Sequence, residues 1–219
     1  MDRHLLNRRH FIAAGAWGTL AGVYPGFSHA ATRRTPTILV VGDSLSAEYG
    51  LKRGSGWVTL LTQQLEATKI KAEVVNASIS GDTTSGGRSR LPALLARHKP
   101  THVIIELGGN DALRGLPLQL TQDNLTFMTQ AAQKAGAEVL LVGMQLPPNY
   151  GRDYGERFAA VFGVVAQANK AALVPFLLKG VADQANALRL FQADRIHPTE
   201  EAQPIMLANV WPELKKILK

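Results

Sequence analysis

"ILVVGDSLSAEYGL", residues 38–51, sets an apolar run directly against an acid and a hydroxyl. Residues 37–41 are rich in β-branched side chains and do not alternate with polar ones, the pattern of a short buried strand. The run stops at Gly42, and Asp43 and Ser44 come at once after it. Gly-Asp-Ser is good turn chemistry in any protein. Two readings therefore stand at this point: an ordinary turn, or a serine nucleophile held at the mouth of a sheet.

The rest of the chain repeats the alternation. Residues 72–76, 102–107, 138–142 and 172–175 read as further short strands. Between them, 57–68, 87–98, 119–134 and 154–170 read as amphipathic helices, and 200–218 closes the chain as a helix interrupted or kinked near Pro204. Strand–helix alternation predicts an α/β fold, a three-layer α/β/α sandwich around a flavodoxin-like parallel five-stranded sheet with right-handed crossovers. In such sheets ligands sit at the carboxyl ends of the strands. "GDS" comes after the first strand, "ASISGDTTSGG" (77–87) after the second and "GGND" (108–111) after the third, so three polar, glycine-rich loops open on one edge. A fourth polar cluster, "DRIHP" (194–198), precedes the last helix and is within reach of the same edge.

With 219 residues, 46% of them hydrophobic and 19% charged, the chain suits one globular domain with a sizeable core. The first thirty residues stand apart. "MDRHLLNRRH" is basic, "FIAAGAWGTLAGVYPGF" is uncharged and weakly apolar, and "SHA" ends in small residues. That order is an export signal with cleavage expected after Ala30. The paired Arg8 and Arg9 followed by Phe11 and Ile12 resemble a twin-arginine signal. An uncleaved anchor is the alternative, and four glycines with Pro25 make the stretch a poor spanning helix. Residues 31–219 are then a single mature domain, periplasmic or secreted, with no stable membrane span after signal removal. The absence of cysteine excludes disulfides, thiolate catalysis and cysteine metal sites. Loss of Asp2, Arg3, Arg8 and Arg9 with the signal lowers the net charge from +7 to +5. The remaining basic groups are spread along the chain without interleaved aromatics, so no nucleic-acid partner is expected.

A serine nucleophile needs a base, an acid that orients the base, and donors for the oxyanion. Beyond the signal only His98, His102 and His197 remain. His98 ends a helix, and His102 begins a strand at the edge opposite the polar loops; both read as structural. His197 lies in a loop with Asp194 three residues earlier and Pro198 stiffening the backbone after it. Taken alone, such a D-x-x-H turn is as much structural as catalytic. Opposite Ser44 it supplies both missing members of a triad. Backbone N–H groups at Ser44 and Gly81 and the side-chain amide of Asn110 are candidate oxyanion donors, with an Asx-turn as the alternative for Asn110. Asp43 and Asp111 read as braces of their turns, and Glu106, inside an apolar strand, as a partner for nearby backbone or a polar loop. Leu113, Leu116, Leu146 and Pro147 near the edge are candidates for an acyl groove or for plain loop packing. There is no G-x-S-x-G, no P-loop lysine, no G-x-G-x-x-G after the first strand and no histidine-rich metal spacing, so no metal or other cofactor is expected.

"GDSLS" with Ser44, "SGDT" with Gly81, "GGND" with Asn110 and "DRIHP" with Asp194 and His197 resemble, in order, the four blocks of the SGNH (GDSL-type) hydrolases. The flanks "ELGGNDALRGLP", "LPPNYG" and "AQPIMLANVW" are similar to its bacterial multifunctional thioesterase I, lysophospholipase and arylesterase branch, over roughly residues 37–211. The resemblance implies a triad of Ser44, Asp194 and His197, an oxyanion hole of Ser44, Gly81 and Asn110, and a metal-free periplasmic enzyme hydrolysing small-molecule acyl esters and thioesters. Two positions depart from it: Glu48 stands where close relatives usually have glycine, and Arg195 sits inside the D-x-x-H turn. A carbohydrate O-acetylesterase on the same fold is the alternative activity, and a non-catalytic envelope binding protein the alternative of another class.

Overall fold

The computed structural model describes residues 35–218, and the expected signal at 1–30 lies outside them. Five parallel strands form one sheet in the order β2-β1-β3-β4-β5: β1 is Thr37–Gly42, β2 Glu73–Asn76, β3 His102–Glu106, β4 Glu138–Val142 and β5 Ala172–Val174. Register pairs Val40 with Asn76 on one side of β1 and with Ile104 on the other. The central strands are buried on both faces, as their unbroken apolar runs require, whereas β2 has exposed ends and forms an edge.

Helices cover both faces of the sheet. On one side α1 (Trp57–Ala67) packs against α6 (Gln203–Ile217); on the other, α2 (Thr84–His98), α4 (Leu118–Lys134) and α5 (Arg152–Asn169) lie side by side. Trp57, Leu61 and Leu65 of α1, Leu125 and Met128 of α4, and Phe158 and Phe162 of α5 fill the two layers between helices and sheet. The α/β sandwich read from the sequence is the fold observed. Strand order reverses direction between β1 and β3, because the chain goes from β1 outward to β2 and then back across to β3. That switch point leaves a crevice at the carboxyl ends of β1 and β3.

Two local readings change and a third is narrowed. Helix α2 begins at Thr84 rather than at 87, because the Thr83 hydroxyl caps it by accepting from Gly86 N–H (3.3 Å). "GGND" opens a five-residue helix, α3 (Gly109–Leu113), where a loop is expected. Near Pro204 the closing helix is interrupted, as one of the two readings had it, and not kinked. A short 3-10 turn at Glu200–Ala202 ends before it, and Pro204 occupies the first turn of α6, where a missing N–H costs nothing. Among the described residues no helix is long and apolar enough to cross a membrane.

Candidate active site

Ser44 sits in the turn that ends β1. Ser46 and Ala47 N–H groups donate to the Asp43 carbonyl (3.2 and 3.0 Å), and Leu45 N–H donates to Asp43 Oδ1 (3.0 Å). The turn is tightly seated, since a Cβ on Gly42 would lie 2.8 Å from Ser46 and 2.9 Å from Glu106 Oε2. Neighbouring loops brace it as well. Asn76 at the end of β2 donates to the Ser46 carbonyl (2.7 Å). From α2, Arg90 pairs with Asp82 (2.8 Å) and donates to the carbonyls of Ala77 and Gly42.

The D-x-x-H turn lies opposite. Asp194 Oδ1 accepts from Ile196 and His197 N–H (2.9 and 3.0 Å), and its Oδ2 accepts from His197 Nδ1 at 2.6 Å. Burial raises the Asp194 carboxyl, but the bonds from His197 side chain and backbone outweigh it and lower the group to about 2. A carboxylate there accepts the Nδ1 proton, which leaves His197 Nε2 as the lone-pair nitrogen. Nε2 faces Ser44 Oγ at 2.9 Å. Serine, imidazole and carboxylate thus form one hydrogen-bonded line across 153 residues of chain.

Asn110, in the first turn of α3, lines the same cavity as Ser44 and donates from Nδ2 to Asp43 Oδ2 at 3.0 Å. Gly81 sits in the loop adjoining the cavity with φ +78, its carbonyl accepting from Arg114 (2.8 Å), and that loop is tied to the end of β1 by Ile79 N–H to the Gly42 carbonyl (3.0 Å). Asp111 turns away from the cavity and accepts from Thr84 N–H (2.8 Å) and the Thr84 hydroxyl. His102 is buried between Thr101 Oγ1 (2.8 Å) and the Ile217 carbonyl (3.0 Å), far from this edge.

Beneath the turn lie two acids. Glu106 and Asp43 are 2% and 3% exposed. Glu106 Oε2 accepts from the Ser46 hydroxyl (2.7 Å) and from Asp43 N–H (3.4 Å). Burial first, then the neighbouring Asp43 charge, pushes the Glu106 carboxyl well above the usual range. Burial also pushes Asp43 up to about 6, against the bonds from Leu45 and Asn110 and the attraction of His197.

A cavity of about 520 Å³ opens from Ser44 and His197. Leu113, Leu146 and Pro147 line it. Leu116 does not: Gly115, at φ +67, turns the chain back so that Leu116 N–H bonds the Asp111 carbonyl (2.9 Å) and its own carbonyl accepts from Tyr154 (3.4 Å). Met144, Phe176, Leu178, Leu188 and Phe191 extend the apolar wall, and none of them stands out in the sequence. The segment 175–191 carries only short turns of helix, so no period marks its inward face. Besides Asp43 of the nucleophile turn, Arg195 and Asp183 place a charged side chain of each sign on the lining.

Residues 40–204 match the model of the GDSL-like Lipase/Acylhydrolase family. The chain belongs to that family. This acylhydrolase is 56% identical to the esterase TesA of Pseudomonas aeruginosa over 83% of its own length and 89% of the relative's. It is 44% identical to the Escherichia coli thioesterase 1/protease 1/lysophospholipase L1, over 78% and 79% of the two chains. Its fold superposes on the crystal structure of the psychrotrophic esterase EstA from Pseudoalteromonas sp., inhibited by monoethylphosphonate, with a TM-score of 0.77 at 41% identity, covering 83% of this chain and 98% of that one.

Proposed function

We propose that this acylhydrolase cleaves small carboxylic esters and thioesters through an acyl-enzyme on Ser44. The observation that carries the reading is the line from Asp194 to His197 (2.6 Å) to Ser44 (2.9 Å), opening into an apolar cavity. His197 Nε2 takes the Ser44 proton as Oγ attacks the acyl carbonyl, and Asp194 stabilises the imidazolium that forms. The carbonyl oxygen gains negative charge. An amide nitrogen carries two hydrogens, and Asn110 commits one to Asp43, so the second is the oxyanion donor, with the N–H groups of Ser44 and Gly81. His197 then gives its proton to the departing alkoxide or thiolate. Water, deprotonated by the same imidazole, attacks the acyl-enzyme and releases the carboxylic acid and free Ser44.

The apolar wall takes the acyl chain, and the thioesterase and lysophospholipase activities named for the Escherichia coli relative are the finer reading for this chain. Each further methylene buried contributes about 0.8 kcal/mol, roughly fourfold. For p-nitrophenyl esters kcat/KM is therefore expected to climb from acetate through hexanoate at about that rate per carbon. Acyl-CoA and lysophospholipid are expected to be cleaved, and acetylated xylan left intact. Rates indifferent to chain length, or preference for acetylated xylan, would contradict the assignment of the wall. Residues 1–30, with their basic, apolar and small-residue order, support export to the periplasm or beyond as part of the same reading, leaving 31–219 as the working enzyme.

A further inference from the structure

The loop after the nucleophile turn carries a non-glycine residue in the left-handed region. Glu48 has φ +58, a conformation that L side chains rarely adopt without compensation. Its carboxylate supplies the compensation. Oε2 accepts from Gly54 N–H (2.9 Å), and Oε1 accepts from Gly56 N–H (2.8 Å) and the Thr59 hydroxyl (2.8 Å). Burial pushes the carboxyl up, but those three donors outweigh it and hold Glu48 below the usual range. The loop from 48 to 56 is thus folded around one side chain. A Cβ on Gly56 would meet Glu48 Cγ at 2.5 Å, so the fit leaves no slack.

What that loop presents is Tyr49. Its ring centroid lies 4.3 Å from that of His197, tilted by 38°, although the residue as a whole is 49% exposed. A large aromatic ring left half in solvent does little for the core. The loop is also fastened to the segment that holds His197. Gln192 Nε2 donates to the Tyr49 carbonyl (2.9 Å) and to the Pro198 carbonyl (3.1 Å), while Gln192 N–H donates to the His197 carbonyl (2.8 Å). Lys52 N–H adds a bond to Glu200 Oε1 (3.0 Å). A Cβ on Gly50 would fall 2.1 Å from the Gln192 amide oxygen, so a second close fit lies at this junction.

We propose that Tyr49 is a positioning residue for His197, held against the imidazole by a clamp formed by Glu48 from within the loop and Gln192 from the histidine side. The proposal rests on the acyl-enzyme reading above. Asp194 and Ser44 bond the imidazole at two ring nitrogens, which fixes its edge and leaves its faces free to tilt. The Tyr49 ring closes one face. When the imidazole takes the Ser44 proton, the new positive charge also forms within cation–π distance of an aromatic ring. Both effects act on proton transfer rather than on substrate binding, so they belong in kcat.

The test uses p-nitrophenyl acetate, whose short acyl group is processed beside Ser44. Tyr49→Ala is expected to lower kcat about tenfold while KM changes by less than about twofold. Tyr49→Phe, which keeps the ring, is expected to recover most of that loss. Glu48→Ala and Gln192→Leu should each reproduce part of the Tyr49→Ala loss, and adding Glu48→Ala to Tyr49→Ala should cost little more, because both remove one contact. Melting temperature separates this from unfolding, and Tyr49→Ala at an exposed position leaves the core intact. Unchanged kcat in Tyr49→Ala, a loss confined to KM, or fully additive losses in the double variant would overturn the proposal. Ser44→Ala assayed alongside keeps the two ideas apart. If it retains turnover, the acyl-enzyme reading falls; if it is dead while Tyr49→Ala is normal, only the clamp falls.

Discussion

At the scale of single residues, the site depends on which carboxyls are charged. Asp194 is held as a carboxylate by donors on both oxygens, and Glu106 is pushed the other way by burial and by Asp43. A carboxyl whose folded-state pKa lies above its unfolded value gains protons on folding. Stability from that group is therefore present at low pH and is lost as pH rises above the ordinary carboxylate range toward the raised value. Glu106→Gln carries no charge at any pH and keeps an oxygen to accept from Ser46. Its melting temperature relative to the wild type is expected to improve as pH rises, with a larger difference at pH 9 than at pH 5. Parallel melting curves across that range would show that Glu106 is not held protonated by its surroundings. The sequence marks Glu106 as odd, an acid in the apolar run of β3. It could not say that the partner is a second acid 63 residues away, because only the pairing of β1 with β3 brings them together.

At the scale of elements, strands were legible to within one residue at either end because buried parallel strands announce themselves as short apolar runs. The helix starts were less so. The Thr83 cap that moves α2 forward is a single hydrogen bond with no periodic trace, and α3 is too short to show a period at all. The cavity wall was the least legible part. Leu113, Leu146 and Pro147 come after strands and can be placed from them, whereas Phe176, Leu178 and Phe191 hang on an irregular segment whose course only the fold determines. Gly143 shows how that segment is seated. Its N–H donates to the Val174 carbonyl (2.7 Å), its carbonyl accepts from Leu177 N–H (2.9 Å), and a Cβ there would lie 2.4 Å from the Pro175 carbonyl oxygen. Backbone cannot swing aside as a side chain can. Gly143→Ala is expected to destabilise the protein by about 1–3 kcal/mol through overpacking, read as a lower denaturant midpoint. It should also weaken turnover of long-chain esters more than of acetate. An unchanged midpoint would mean that the junction of β4 with the cavity wall is looser than the close contact implies.

At the scale of the whole molecule, the sheet order explains why four separated segments can share one task. β1 and β3 flank the switch point, so Ser44 and Asn110 emerge side by side, and the chain returns after β5 to set Asp194 and His197 above them. Much of the remaining fold keeps that edge in register: Arg90 ties the first two loops, Gln192 ties the loop of Tyr49 to that of His197, and the apolar layers hold the sheet in place beneath them. The central claim is that this edge activates one serine among several. It is tested most directly by exposing the full-length protein to a p-nitrophenyl phosphonate and locating the adduct by peptide mass spectrometry. The account predicts one phosphonyl group per chain, on Ser44, with loss of esterase activity in proportion to labelling and with labelling abolished or greatly slowed in His197→Ala. An adduct on Ser46, Ser80 or Ser85, or full labelling in His197→Ala, would contradict it.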